Sequence, residues 1–161
     1  MKVIILAAGF ATRLHPLTDR QAKPLLPVAG KIMIDYLLEG MGTIAAIDTI
    51  CVVTNKKFYN DFQKWKDGYR TDKKIVILND GSTADENKLG AIGDIHFVIQ
   101  REKIDDDLLV VAGDNLFDLD VNDFVSFGRH NGTTIAAYDI GSKADARQFG
   151  VVSINPDNLV E

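Results

Sequence analysis

Val3-Ile4-Ile5-Leu6-Ala7-Ala8-Gly9-Phe10-Ala11-Thr12-Arg13-Leu14 joins an unbroken apolar run to a turn of small residues that ends on a cation. The run from Val3 to Leu6 predicts a strand buried on both faces, the kind found inside a parallel sheet. Two alanines and a glycine then carry no bulk that would keep main-chain N–H groups from facing an anion. Thr12 adds a hydroxyl and Arg13 a charge. Beyond them lies Ala22-Lys23-Pro24-Leu25-Leu26-Pro27-Val28-Ala29-Gly30-Lys31, where prolines fix the chain path and Lys23 is able to reach back to the same anion. Two cations and a row of amides describe a polyphosphate site. The plainer reading is an ordinary strand-to-helix loop with a surface arginine and lysine.

The rest of the chain alternates. Ile34, Leu37, Leu38 and Met41 recur at i, i+3, i+4 and i+7, which predicts an amphipathic helix from about Lys31 to Gly42. Thr49 to Thr54 is a β-branched strand. Phe58, Phe62 and Trp65 mark one face of a second helix, and Lys74 to Leu78 is a third strand. Leu89, Ile92, Ile95 and Ile99 predict a third helix. Leu108 to Ala112 predicts a strand buried on both faces, and Val121, Phe124 and Val125 a fourth helix. Thr133 to Ile140 and Gly150 to Ile154 read as two further strands, with the polar stretch Gly141 to Gln148 as the least structured loop. Strands alternating with helices imply an α/β fold with a mainly parallel sheet, covered on both faces.

In such a sheet ligands gather at the carboxyl ends of the strands. Leu109-Val110-Val111-Ala112-Gly113-Asp114-Asn115 places a carboxylate there, immediately after an apolar strand. Asp114 as a turn cap is the competing reading, and capping suffices for Asp118 and Asp120. Asn79-Asp80-Gly81-Ser82-Thr83 follows the third strand. Asn79 has the donor and acceptor needed to read a base edge, although Asn-Asp-Gly is also a strong turn sequence. Gly90, at the start of the third helix, would let a flat ring lie against the backbone.

The paired segments, with Thr12-Arg13-Leu14, Pro16-Leu17-Thr18 and Lys23-Pro24-Leu25-Leu26-Pro27-Val28-x-Gly30-Lys31 in fixed order, resemble the signature of the sugar-1-phosphate nucleotidylyltransferases, glucose-1-phosphate thymidylyltransferases among them. Two positions depart from it. Phe10-Ala11 stands where a second glycine is common, and Ile32 where proline is common. Ala11 cannot enter positive φ as cheaply as glycine. The resemblance implies a Rossmann-like nucleotidyltransferase sheet. It also implies transfer of a nucleoside monophosphate from a triphosphate to a phosphorylated small-molecule acceptor, a sugar 1-phosphate, with release of pyrophosphate. It assigns nucleotide binding to Leu6, Ala7, Ala8, Gly9, Thr12, Arg13 and Lys23, with Arg13 and Lys23 as the catalytic cations. Asn79 and Gly90 become base contacts, and Asp114 the ligand of Mg²⁺.

Members of that family usually continue further, through a Glu-Lys pair for the sugar phosphate and a second metal-binding aspartate. Residues 1–161 are therefore expected to be a single nucleotidyltransferase domain truncated at its C-terminus, holding the nucleotide half of the site and turning over poorly. The sheet edge so uncovered is expected to favour a homo-oligomer. Two alternatives share the N-terminal signature: a CTP-dependent cytidylyltransferase acting on phosphocholine or a similar phosphate, and a regulatory module that binds nucleotide without turnover.

Composition bounds these readings. With 161 residues, 46% hydrophobic and 25% charged, the chain has the make-up of a globular domain. A net charge of −5 argues against a general nucleic-acid or membrane-surface binder. Cys51, the single cysteine, lies in an apolar run and permits no internal disulfide. The longest apolar stretch, Val3 to Ala8, is too short for a membrane span or signal core, which makes a cytoplasmic protein the expectation. Gly40-Met41-Gly42-Thr43-Ile44-Ala45 fits a dinucleotide fingerprint only formally, because it follows a helical pattern and reads as a helix stop. No Walker A sequence is present, and His15, His96 and His130 have no metal-ligand spacing.

Overall fold

The computed structural model describes residues 1–160 and falls into two compact units, Met1–Asn122 and the chain from Asp123 onward. In the first unit, β1 (Lys2–Ala7) is followed by a short hairpin, β2 (Pro27–Val28) and β3 (Lys31–Ile32), and by α1 (Met33–Gly42). Then come β4 (Thr49–Thr54), α2 (Tyr59–Gly68), β5 (Lys74–Asn79), α3 (Gly90–Glu102) and β6 (Leu108–Ala112). Single helical turns at Thr12–Leu14, Lys23–Leu25 and Asp85–Asn87 punctuate the loops. α4 (Val121–Asn131) leads into the second unit, which also holds α5 (Lys143–Ala146).

β1, β4, β5 and β6 form a wholly parallel sheet in the order β5-β4-β1-β6. From β1 the chain moves outward to β4 and β5, then crosses back over β4 and β1 to β6. Because such crossovers are right-handed, the reversal puts α1 and α2 on one face and α3 on the other. One face is a core of Ile4, Cys51, Val53 and Leu78 against Val98 of α3. Burial pushes the Cys51 thiol up to about 11, so it is an inert part of that core. Val3, Ile5 and Val52, pointing the other way along their strands, are equally buried. The reversal between β1 and β6 is a topological switch point, where two loops diverge and leave a crevice at the strand ends.

Four sequence expectations are corrected. β6 is not buried on both faces: it is an edge strand among the described residues, and its Val110 is 39% exposed. Along α3 the buried stripe runs through Asp94 and Val98, with Ile92 left 80% exposed, so the inward face is rotated from the one the isoleucines suggested. Residues 133–140 and 150–154 form no strands; the described residues of that region show one isolated bridge, Ile154 with Val160. Strand propensity is realised only against a partner ladder, and none faces those β-branched runs. The polar stretch 141–148 in turn contains α5, because the Ser142 hydroxyl oxygen accepts from the Asp145 N–H at 3.3 Å as an N-cap.

Candidate functional site

The crevice at the switch point is a cleft of about 370 Å³ lined by Leu6, Ala7, Ala8, Gly9, Ala11, Lys23, Pro24, Lys88, Gly90, Ala91, Asp94, Ala112 and Asp114. Its first wall is the loop after β1. Asn55, at the end of neighbouring β4 and fully buried, clips that loop: its Nδ2 donates to the Ala8 carbonyl at 3.0 Å, and its Oδ1 accepts from the Phe58 N–H at 3.1 Å. Buried Thr18 secures the far end, its hydroxyl donating to the Ala11 carbonyl at 2.8 Å. Between these clips a Cβ on Gly9 would meet nothing within 4 Å, so the loop faces open space. Ala11 adopts φ 48°, ψ 42°, the left-handed conformation that glycine takes without a steric cost. The chain thus makes its left-handed step at an alanine, with no second glycine in the turn.

The second wall is the end of β6. The Gly113 N–H donates to the Leu6 carbonyl at 2.8 Å, continuing the ladder one residue past the strand. A Cβ there would lie 3.0 Å from the Leu6 oxygen and 3.1 Å from Ile5 Cγ2. Glycine lets the two strand ends close in this way without displacing those neighbours, and the next residue, Asp114, is delivered to the cleft mouth. There Lys23 Nζ donates to Asp114 Oδ2 at 2.8 Å, joining groups 91 residues apart in the chain. Both side chains are part-exposed, so this ion pair is screened and exchangeable.

The third wall is the start of α3. Gly90 has φ +74°, in the region that favours glycine, and opens the helix beside the cleft. Asp94 lies one turn on, 5% exposed, and its Oδ1 has no hydrogen-bond partner. Burial, with the Asp80 carboxylate beside it, pushes the Asp94 carboxyl up to about 7. Asp80 is itself fixed by Ser82, whose hydroxyl and N–H donate to it at 2.7 and 2.8 Å.

The structure therefore gathers Leu6, Ala7, Ala8, Gly9, Lys23, Gly90 and Asp114 around one cleft. Thr12 and Arg13, on the exposed single turn after Ala11, do not line it. Nor does Asn79, whose Oδ1 accepts from the Gly81 N–H at 2.9 Å and so closes the turn that Asn-Asp-Gly favours. Asn55, Lys88 and Asp94 escaped the sequence reading of the site. Among the described residues no three His, Cys, Asp or Glu side chains gather as a metal cage. A part-exposed carboxylate at the mouth of this cleft, paired with a lysine, does fit a hard ion that keeps most of its ligands as water and phosphate oxygen, as Mg²⁺ does.

The sequence model of the nucleotidyl transferase family matches residues 2–161. The chain belongs to that family. Among its curated relatives, a Sulfolobus acidocaldarius protein assigned as a mannose-1-phosphate guanyltransferase is 30% identical over the whole chain and 43% of its own length. The glucose-1-phosphate adenylyltransferase of Dechloromonas aromatica is 31% identical over 98% of the chain and 38% of its own length. A Bacillus anthracis crystal structure assigned as a glucose-1-phosphate thymidylyltransferase, in complex with a sucrose, shares 26% identity at a TM-score of 0.63, covering 82% of this chain and 51% of that one. This nucleotidyl transferase chain thus spans well under half the length of the curated relatives it matches. Among the described residues, no helix is long and apolar enough to cross a membrane.

Proposed function

We propose that the chain carries the nucleotide half of a sugar-1-phosphate nucleotidyltransferase, an enzyme that moves a nucleoside monophosphate from its triphosphate to a sugar 1-phosphate. The observation that carries this is the meeting of the clipped loop Ala8–Ala11, Lys23 and Asp114 in one cleft at the switch point. Loop amides and Lys23 bind the triphosphate as oriented donors and a fixed charge. Asp114 would hold Mg²⁺, which supplies Lewis-acid charge to phosphate oxygens when bound. In the ligand-free cleft Lys23 and Asp114 neutralise each other, so a metal-bound triphosphate exchanges that one pair for two: an anion for Lys23 and a cation for Asp114.

An oxygen of the sugar 1-phosphate then attacks the α-phosphorus in line, the bond to the bridging oxygen breaks, and pyrophosphate departs. The chain contributes positioning and charge stabilisation and needs no covalent nucleophile. Lys23 stabilises the charge that develops on the departing pyrophosphate, and Arg13 joins it if the single turn after Ala11 swings inward. The test is calorimetric titration of the protein with each nucleoside triphosphate and Mg²⁺, followed by an assay for pyrophosphate release with a panel of sugar 1-phosphates. Absence of binding for every triphosphate overturns the reading.

A further inference from the structure

Four ionisable side chains line the cleft, Lys23, Lys88, Asp94 and Asp114, and the reading above uses two of them. Those two, Lys23 and Asp114, neutralise each other in the ligand-free protein. Asp94 is buried with its carboxyl pushed up to about 7, so it adds little charge below neutrality. Lys88 remains. It stands two residues before Gly90 on the α3 wall, at the end of a loop that its own side chains build. Asp80 Oδ1 accepts from the Ser82 N–H and hydroxyl, and Asn87 Oδ1 accepts from the Thr83 and Ala84 N–H groups, each at 3.0 Å. The Ser82 carbonyl accepts from the Lys56 N–H at 2.9 Å, which ties the loop to the chain just beyond β4. Such side-chain bonds to the backbone fix the loop, and with it the Lys88 backbone, before any ligand arrives. Lys88 Nζ donates to Asp85 Oδ1 at 2.9 Å, but both side chains are about half exposed, so the pair is weak and exchangeable. Asp85 does not line the cleft, so Lys88 belongs to the lining while its counter-charge lies outside.

We propose that Lys88 is a second phosphate-binding lysine of the cleft, which leaves Asp85 and donates to phosphoryl oxygens of the nucleoside triphosphate from the α3 wall. An ammonium group has three donors and no acceptor, and its strongest partners are anionic oxygens. A triphosphate carries more negative charge than Lys23 and one divalent ion cancel, so oxygens are left for a further cation. The exchange is favourable because the bond given up is open to solvent, whereas a phosphate held in the cleft is partly shielded from it. The inference rests on the nucleotide reading proposed above, to which it adds a residue, and its test separates the two.

Calorimetric titration of the whole chain with inorganic tripolyphosphate and with ATP, GTP, CTP, UTP and dTTP, each with Mg²⁺, decides the matter when wild type is compared with Lys88→Ala, Asp85→Asn and the double variant. The expected result is that Lys88→Ala weakens tripolyphosphate and nucleotide alike, by about tenfold or more, the effect of one charge-assisted hydrogen bond. Asp85→Asn should act in the opposite direction and tighten both, because it frees Lys88, and the gain should vanish in the Lys88→Ala background. A lysine that only braces the loop does not give this pattern, since loss of its partner would then weaken binding or leave it unchanged. Unchanged tripolyphosphate affinity in Lys88→Ala overturns the inference, even where nucleotide alone weakens, which would assign Lys88 to the base or ribose. A gain in Asp85→Asn that persists without Lys88 overturns it too, because the gain then comes from the general field of the lost carboxylate. If wild type binds and the variants bind equally well, only this inference fails. If wild type binds neither tripolyphosphate nor any nucleotide, the nucleotide reading fails with it. The gain expected of Asp85→Asn is a result that a folding defect cannot imitate.

Discussion

Asp94→Asn should make the ligand-free protein more stable at alkaline pH, and the size of the gain follows from the site. The carboxyl rises from 3.8 to about 7 because burial and the neighbouring Asp80 both disfavour its ionised form. Between those values the unfolded chain releases the proton while the folded chain keeps it, so stability falls as pH rises and levels off above about 7. A shift of that size corresponds to up to about 4 kcal/mol. Asparagine has nearly the same shape and no charge, and its amide N–H is able to donate to the Asp80 carboxylate. The variant should therefore gain up to about 4 kcal/mol at pH 8.5 and only about 1 kcal/mol at pH 4.5, where the wild-type acid is already protonated. The ionisable groups around the acid are Asp80 beside it, with Lys88, Lys23 and Asp114 lining the same cleft; none of them is altered. Urea denaturation of both proteins at the two pH values measures the difference. A gain that is absent at pH 8.5, or equal at both pH values, refutes the account of Asp94 as a group that folding keeps protonated.

Lys23→Ala should weaken triphosphate binding by about 1.5–3 kcal/mol without affecting a nucleoside that lacks phosphates; unchanged calorimetric affinity would falsify the phosphate role. Arg13→Ala should cost less than Lys23→Ala in the same assay, because Arg13 stands outside the cleft lining; an equal loss would show that its turn moves inward on binding. Asp114→Asn should abolish the Mg²⁺ dependence of binding, and it should also tighten metal-free triphosphate binding by releasing Lys23 from the 2.8 Å pair; titrations with Mg²⁺ and with a chelator separate the two effects, and a normal Mg²⁺ response removes Asp114 from the metal site. Gly113→Ala should destabilise the fold by about 1–3 kcal/mol, since the new methyl meets the Leu6 oxygen at 3.0 Å and Ile5 Cγ2 at 3.1 Å; a melting temperature equal to wild type would show that the strand ends part freely.

Which features were legible in the sequence depends on whether they are local. β4 begins and ends at Thr49 and Thr54 as its β-branched run indicates, and α1 ends at Gly42 where the glycines suggest. Lys23 and Asp114 were legible as chemistry, each beside a glycine or proline that fixes its backbone. Their pairing follows from strand order, which no local pattern carries. Asp94 was hidden by a sound rule misapplied. The isoleucines of α3 set a plausible apolar stripe that leaves Asp94 out, yet the helix turns that acid inward and leaves Ile92 in solvent. The available clue was spacing: Gly90 was already a candidate for the site, and four residues on places Asp94 on the same face. Asn55 carried a similar clue as a polar residue ending a buried strand beside β1. Residues 133–140 failed for the opposite reason, because a β-branched run states a preference and a strand requires a partner. Glycines were further signals that reached the site: a side chain at Gly9 or Gly90 would project into open space, and one at Gly113 would press on the Leu6 oxygen. That is why the cleft's outline was readable from composition, whereas the acid on its wall became visible only once the helix face was fixed.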